Sequence, residues 1–151
     1  MRLPIGFRRH KSERGAAMLE MALTLPLLLL VCVGILEFGR AYQTWQVLTN
    51  AVREGARVAV LPDATELGVE GRVKNYLKAG RLSNWEDAEV DWDPNATIDI
   101  GATTATASVV TVDYPFKFMV LSGVAKLVAS GSTVGGDLTM SASAEMRNET
   151  Q

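Results

Sequence analysis

The chain has 151 residues, 48% of them hydrophobic, a formal net charge of −2 and a single cysteine, Cys32. That length accommodates one compact domain plus one anchor and excludes two large domains. Cys32 lies inside an apolar run, so the region beyond it contains no intrachain disulfide and must be held by packing.

The charge is uneven along the chain. Arg2, Arg8, Arg9, Lys11 and Arg14 oppose only Glu13 before residue 16, and the remainder is acidic. A basic tail directly before an apolar stretch reads as a positive-inside topology signal, with the tail cytoplasmic, rather than as a nucleic-acid patch. From residue 16 to 36 only Glu20 is charged. At about 1.5 Å rise per residue this segment makes a helix of roughly 30 Å, enough to cross the apolar core of a bilayer. A cleaved secretory signal would end in small residues at an A-x-A-like site, whereas this run passes into Glu37, Phe38, Gly39 and Arg40. Val31 before Cys32 and the apolar residues after it also argue against a lipoprotein signal.

The helical pattern continues past the apolar run. Phe38, Tyr42, Trp45, Leu48, Val52, Ala56 and Ala59 recur at steps of three and four, with Glu37, Arg40, Gln43, Gln46, Asn50, Arg53 and Arg57 between them. The spacing predicts one helix over residues 16–60, its second half an amphipathic stem, stopped at Leu61-Pro62-Asp63. Tyr42 and Trp45 read as packing residues on the stem face or as anchors near the membrane interface.

Asp63 is the expected N-cap of a second helix carrying Leu67, Val69, Val73, Tyr76 and Leu77, ending near Ala79-Gly80 and folding back onto the stem. Three strands follow. Residues 89–93 alternate as a short strand stopped by Pro94-Asn95. Residues 104–114 form a longer one, with Val110, Val112 and Tyr114 on one face and Pro115 closing the ladder. The last alternation places Leu138, Met140, Ala142, Ala144 and Met146 opposite Thr139, Ser141, Ser143, Glu145 and Arg147. The expected fold is therefore α+β: a long N-terminal helix, transmembrane and then stem, packed on a small three-stranded antiparallel sheet with a second helix. Between the second and third strands, residues 116–129 are apolar almost all round and too short to span. They read first as a buried helix or loop completing the core and second as a membrane-surface or partner-contact segment. Residues 130–136 read as a flexible turn.

Little in the sequence supports catalysis. The one histidine, His10, lies in the basic tail, so no Ser-His-Asp or Cys-His arrangement can form beyond the span, and neither a phosphate-binding glycine loop nor a paired-cysteine motif is present. Asp91-Trp92-Asp93-Pro94-Asn95 begins like a calcium loop. It fails at Ala96, where glycine is required, and at Ala102, where a bidentate glutamate belongs, so these carboxylates read as solvated strand-end groups. No enzyme activity, metal, cofactor, small-molecule substrate or nucleic-acid partner is expected. Glu20 is more informative, because a carboxylate in an apolar span is costly, about 2.5–3.5 kcal/mol at the centre. It is either a functional contact or a residue reaching the headgroups at the cytoplasmic edge, and position alone does not separate these readings.

The stretch Arg14-Gly15-Ala16-Ala17-Met18-Leu19-Glu20 resembles the prepilin-type signals of type IV pilins and pseudopilins, in which a membrane aspartyl peptidase cuts after the glycine. Taken with ERGAAMLEMALTLPLLLLVCVGILEFGRAYQTWQVLTNAVREGARVAVLP, it resembles the TadE-like family of tight-adherence (Flp) pilus biogenesis proteins. EFGRAY and NAVREGAR carry most of that likeness, which reaches more weakly to Val112-Asp113-Tyr114-Pro115-Phe116 and to Met146-Arg147-Asn148-Glu149. The resemblance implies a pseudopilin or minor pilin of the tight-adherence secretion and pilus machinery, held in the bacterial inner membrane with its C-terminal domain in the periplasm. It implies four parts: a leader (1–15), a transmembrane helix (16–36), a stem (37–62) and a periplasmic domain (63–151). It further implies that Gly15 and Ala16 flank the scissile bond. Cleavage would create an ammonium group at Ala16, which Glu20, one helical turn on, can neutralise within its own chain or a neighbour's. Met21 stands where major Flp pilins have tyrosine, which argues against a major pilin. The implied partners are the prepilin peptidase, other pseudopilins and the pilus assembly platform, with Phe38, Tyr42, Trp45, Phe116 and Phe118 as contact residues. The rival from another class is an uncleaved, signal-anchored periplasmic binding or sensing module.

Overall fold

A computed structural model describes residues 10–101, 103–123 and 138–148. The first element, α1, is an α-helix over His10–Ala59. It starts earlier than expected because Lys11, Glu13 and Arg14 are good helix formers, so an established helix gains one hydrogen bond per residue by growing into them. The chain divides into two compact units, Met1–Leu36 and Glu37–Gln151.

In the first unit the large apolar side chains from Met18 to Leu36 are exposed apart from half-buried Val33, including Leu19, Met21, Leu23, Leu27 and Leu28. A water-soluble domain rarely leaves such an apolar surface uncovered. Among the described residues α1 is the one helix long and apolar enough to cross a membrane. Pro26 sits inside it, a residue that costs about 3 kcal/mol in a helix interior in water and is tolerated more readily in membrane helices.

In the second unit, the stem residues of α1 are followed by α2 (Glu66–Ala79), a 3-10 turn (Trp85–Asp87) and three strands: β1 (Glu89–Ile100), β2 (Thr103–Phe116) and β3 (Leu138–Arg147). The strands form an antiparallel meander in the order β1-β2-β3. The α+β class and the three-stranded antiparallel sheet are as the sequence implies. One sheet face, with Val110, Val112, Tyr114 and Phe116 of β2 at its centre, packs on Leu48, Ala51, Val52, Ala56 and Ala59 of the stem and on Val69, Val73 and Leu77 of α2. Met140, Ala142, Ala144 and Met146 of β3 flank this core. Each fully buried Leu, Val or Phe contributes about 1.5–3 kcal/mol of transfer free energy, so these positions dominate the stability of the unit.

Several boundaries differ from expectation for identifiable reasons. The N-cap of α2 is Thr65, whose Oγ1 accepts from Gly68 N at 3.2 Å, and not Asp63. Pro62 and Asp63 belong instead to the turn in which Ala64 N donates to the Leu61 carbonyl. Leu67 and Tyr76 lie on the open side of α2, exposed, while Val69, Val73 and Leu77 are buried. β1 runs through Pro94-Asn95 by means of a bulge between Asp93 and Ala96. The missing N–H of Pro94 is tolerated because β1 is an edge strand, and the Asp93 carboxylate accepts from Asn95 N at 2.9 Å to close the bulge. Pro115 does not close the ladder either, since it pairs with Thr139 of β3. Pairing with β1 has already ended at Asp113, so β2 is locally an edge at Pro115 and loses no ladder bond there. Of the apolar segment 116–129, residue 116 ends β2 and residues 121–123 make one helical turn; residues 124–129 and the turn at 130–136 lie outside the described residues.

Candidate functional site

The EFGRAY stretch lies where α1 passes from the apolar run into the stem; its acid is buried and its arginine half-buried beside it. Glu37 is only 4% exposed although Phe38 beside it is 66% exposed. One carboxylate oxygen, Oε2, is 3.1 Å from Arg40 Nη2, and the other, Oε1, accepts from Val120 N at 2.6 Å. Arg40 also donates to the Lys117 carbonyl and lies 4.5 Å over the ring of Phe116, which in turn meets Phe118 edge to face at 5.2 Å. The result is a clamp: a helical i,i+3 ion pair grips the backbone of residues 117–121, which follow β2. Burial works against the ionised Glu37, but the Val120 amide, the Arg40 guanidinium and the Leu121 amide together outweigh it and hold the carboxyl below its ordinary value of 4.5.

NAVREGAR forms a second junction, further along the stem. The Glu54 carboxylate accepts from Arg72 of α2, at 3.1 Å from Nε and more closely from Nη2, and lies 3.5 Å from Arg57. The Arg72 hydrogen bond, with both guanidinium charges, holds this carboxyl below its ordinary value despite some desolvation. Gly55 is the point of closest approach. A Cβ there would stand 2.5 Å from Val73 Cγ2 and 3.3 Å from Val110 Cγ1, so only glycine lets the stem lie this close to both α2 and β2.

A third tie involves the last described residue. Asn148 N donates to the Thr106 carbonyl at 3.0 Å and Asn148 Nδ2 to the Pro94 carbonyl at 2.9 Å. Its Oδ1 accepts from the buried Ser108 hydroxyl at 2.8 Å, which also lies 3.4 Å from the Ala59 carbonyl at the end of α1. The Asn148 side chain therefore links the β1 bulge to β2, and through Ser108 to the stem terminus.

The register of the stem differs from the one expected. The buried stripe runs back from Leu48 through Thr44 and Ala41 to Glu37, and not through Trp45, Tyr42 and Phe38. Both stripes advance by threes and fours, so periodicity allows either. The sheet selects the one with small residues at 41 and 44 and the clamp acid at 37. Phe38, Tyr42 and Trp45 are left exposed on the other side, with Tyr42 and Trp45 rings 6.3 Å apart and Gln46 donating to the Tyr42 hydroxyl at 2.8 Å. Of the other two expected contact residues, Phe118 is partly covered and Phe116 is 2% exposed, serving as the floor under Arg40. Gly15, Ala16 and Glu20 are exposed in the first turns of α1, with Ala16 and Glu20 one turn apart.

No group of three or more His, Cys, Asp or Glu able to hold a metal occurs among the described residues, and Asp91 and Asp93 are exposed strand carboxylates. Periodicity puts Glu37 and Arg40 on the polar face and gives no role to Gly55 or Asn148. The usable signal for the clamp is an acid immediately after the apolar run with an arginine three residues on.

The family model described as TadE-like protein matches residues 15–57, from Gly15 to the end of the NAVREGAR stretch. No curated protein and no solved structure matches the chain.

Proposed function

We propose that this chain, TadE-like over its N-terminal segment, is a non-enzymatic pseudopilin or minor pilin in assembly of the tight-adherence (Flp, type IVb) pilus and its secretion machinery. The observation that carries the reading is the match of residues 15–57, which hold Glu20, EFGRAY and NAVREGAR, to the TadE-like family model. In this reading residues 1–15 are a cytoplasmic leader, 16–36 cross the bacterial inner membrane, 37–62 form the stem and 63–151 the periplasmic domain. Cleavage leaves an ammonium group at Ala16. Glu20, one turn on along the same helix, supplies the compensating charge within lipid, for its own chain or for a neighbour stacked beside it. Subunit packing then satisfies a charge that the bilayer cannot. Phe38, Tyr42 and Trp45 are the stem groups offered to related pseudopilins, large apolar side chains that this chain's own domain leaves uncovered.

N-terminal sequencing of the membrane-bound protein tests the processing step. A mature chain beginning at Ala16 is expected; an intact N-terminus in cells that contain the peptidase would favour an uncleaved, signal-anchored binding or sensing module instead. Glu20→Ala should leave membrane insertion unchanged and impair piliation. Normal piliation in that variant would reduce Glu20 to an interfacial residue.

A further inference from the structure

The end of the apolar span has its polarity inverted relative to an ordinary water-facing surface. Directly after Leu36, the two ionisable groups are engaged internally: Glu37 is buried, and Arg40, its side chain 35% exposed, is held by Glu37, the Lys117 carbonyl and the Phe116 ring. The exposed groups at the same level are mostly apolar, Lys117 at the start of the gripped segment being the charged exception, its long stem able to carry the ammonium to the headgroups. The apolar ones are Phe38 on the helix and, in the segment gripped by the clamp, Met119 at 75% and Val120 at 47% exposure. Pairing these charges internally while leaving Met and Val uncovered is costly against water and favourable against lipid. Covalent position supplies the rest: Val120 N is hydrogen-bonded to Glu37, the residue that directly follows the exposed Ile35 and Leu36, so this segment is tied to the first residue after the apolar run.

We infer that residues 118–121 are a second, non-spanning membrane contact, a short apolar finger held at the bilayer surface by the Glu37–Arg40 clamp, with Met119 and Val120 inserted at the boundary between headgroups and acyl chains. The occupant is lipid, the same surface that covers Ile35 and Leu36, and not a protein groove. Its physical effect is to fix the domain to the membrane at a second point beside the span, which limits rotation of the stem about its own axis and so orients its exposed aromatic side. This inference rests on the reading of residues 16–36 as a membrane anchor.

The test uses the full chain in vesicles of phosphatidylcholine and phosphatidylglycerol, with an environment-sensitive fluorophore on single cysteines in a Cys32→Ser background. The sites are Met119→Cys and Val120→Cys, with Leu28→Cys reporting the span and Ser83→Cys an exposed site of the domain. Labels at 119 and 120 should be blue-shifted, quenched by lipids bearing a nitroxide near the headgroup end of the acyl chain, and shielded from aqueous iodide. The label at 83 should be open to iodide. If 28 is quenched by lipid while 119 and 120 are open to iodide, the anchor stands and the finger does not; if 28 is open to iodide as well, both readings fall. Shielding at 119 and 120 that is insensitive to lipid quencher and rises with protein-to-lipid ratio would mean that a second copy covers the segment, and overturns the inference. Finally, Glu37→Ala should abolish lipid quenching at 119 and 120 and leave 28 unchanged; unaltered quenching there would overturn the role of the clamp.

Discussion

Replacing Gly55 by alanine sets two effects of opposite sign against each other, and the geometry decides the winner. In a helix interior glycine is about 0.8–1.0 kcal/mol less favourable than alanine, so on propensity alone Gly55→Ala stabilises. The added Cβ, however, would stand 2.5 Å from Val73 Cγ2, well inside ordinary contact, and 3.3 Å from Val110 Cγ1. Neither neighbour gives way easily: the first is a β-branched residue in a helix, confined largely to one χ1 rotamer, and the second lies in the central strand. Overpacking of this kind typically costs about 1–3 kcal/mol, which exceeds the propensity gain. The expected net effect is a loss of up to about 2 kcal/mol. Gly71 provides the control, since it lies within α2 and a Cβ added there would meet nothing within 4 Å. The same substitution at Gly71 should stabilise by about 0.5–1 kcal/mol. Urea unfolding of the full chain in detergent micelles, followed through Trp85 and Trp92, reads both. In the double mutant Gly55→Ala/Val73→Ala the clash is relieved, so the two changes should be less than additive. Stabilisation by Gly55→Ala alone, or strict additivity with Val73→Ala, would refute the close-packing argument.

Two further outcomes follow from the clamp and from the Asn148 tie. Glu37 and Glu54 both have carboxyl groups held below their ordinary value, so each contributes stability that is fully present above about pH 4.5 and is lost as pH falls through the lowered folded-state value. The urea midpoint should therefore drop on acidification below that point, and Glu37→Gln should show a shallower drop than wild type; superimposable pH profiles would count against the assignment. Asn148→Ala removes one of the two acceptors of the buried Ser108 hydroxyl, the Ala59 carbonyl remaining, and the donor to the exposed Pro94 carbonyl, and should cost about 0.5–1.5 kcal/mol, measured as a shift in the same midpoint. A shift no larger than that of an exposed surface substitution would show that the tie is dispensable.

Periodicity and composition place the elements well where the local signal has one interpretation. The uninterrupted apolar run gives one long helix, the Ala79-Gly80 stop ends α2 as expected, and strict alternation from Leu138 gives β3. The departures share a cause. Taken locally, Pro94 and Pro115 end their strands because proline lacks a ladder donor, yet whether a donor is needed depends on whether a neighbouring strand is present. At Pro94 the strand is an edge, and at Pro115 it has become one. In the same way Asp63 and Thr65 are both acceptable caps, and only the path of the turn at Leu61–Ala64 selects Thr65.

The stem shows the division most clearly. From the sequence alone follow an apolar helix that continues as an amphipathic rod, the basic stretch that ends at Gly15, the carboxylate at Glu20, and the EFGRAY and NAVREGAR stretches that carry the TadE-like likeness. These are local properties, set by charge, hydropathy and spacing along a single stretch of chain. Which side of the rod faces the domain is not among them, because stripes through Phe38-Tyr42-Trp45 and through Glu37-Ala41-Thr44 have the same period. That choice is made by contacts distant in sequence. The backbone of residues 117–121 needs an acceptor, Phe116 offers a ring beneath a guanidinium, and α2 and β2 can close on the stem only where Gly55 has no side chain. Burial of Glu37 and exposure of three aromatic residues beside it follow from those long-range partners, which is why tertiary structure alone could decide them.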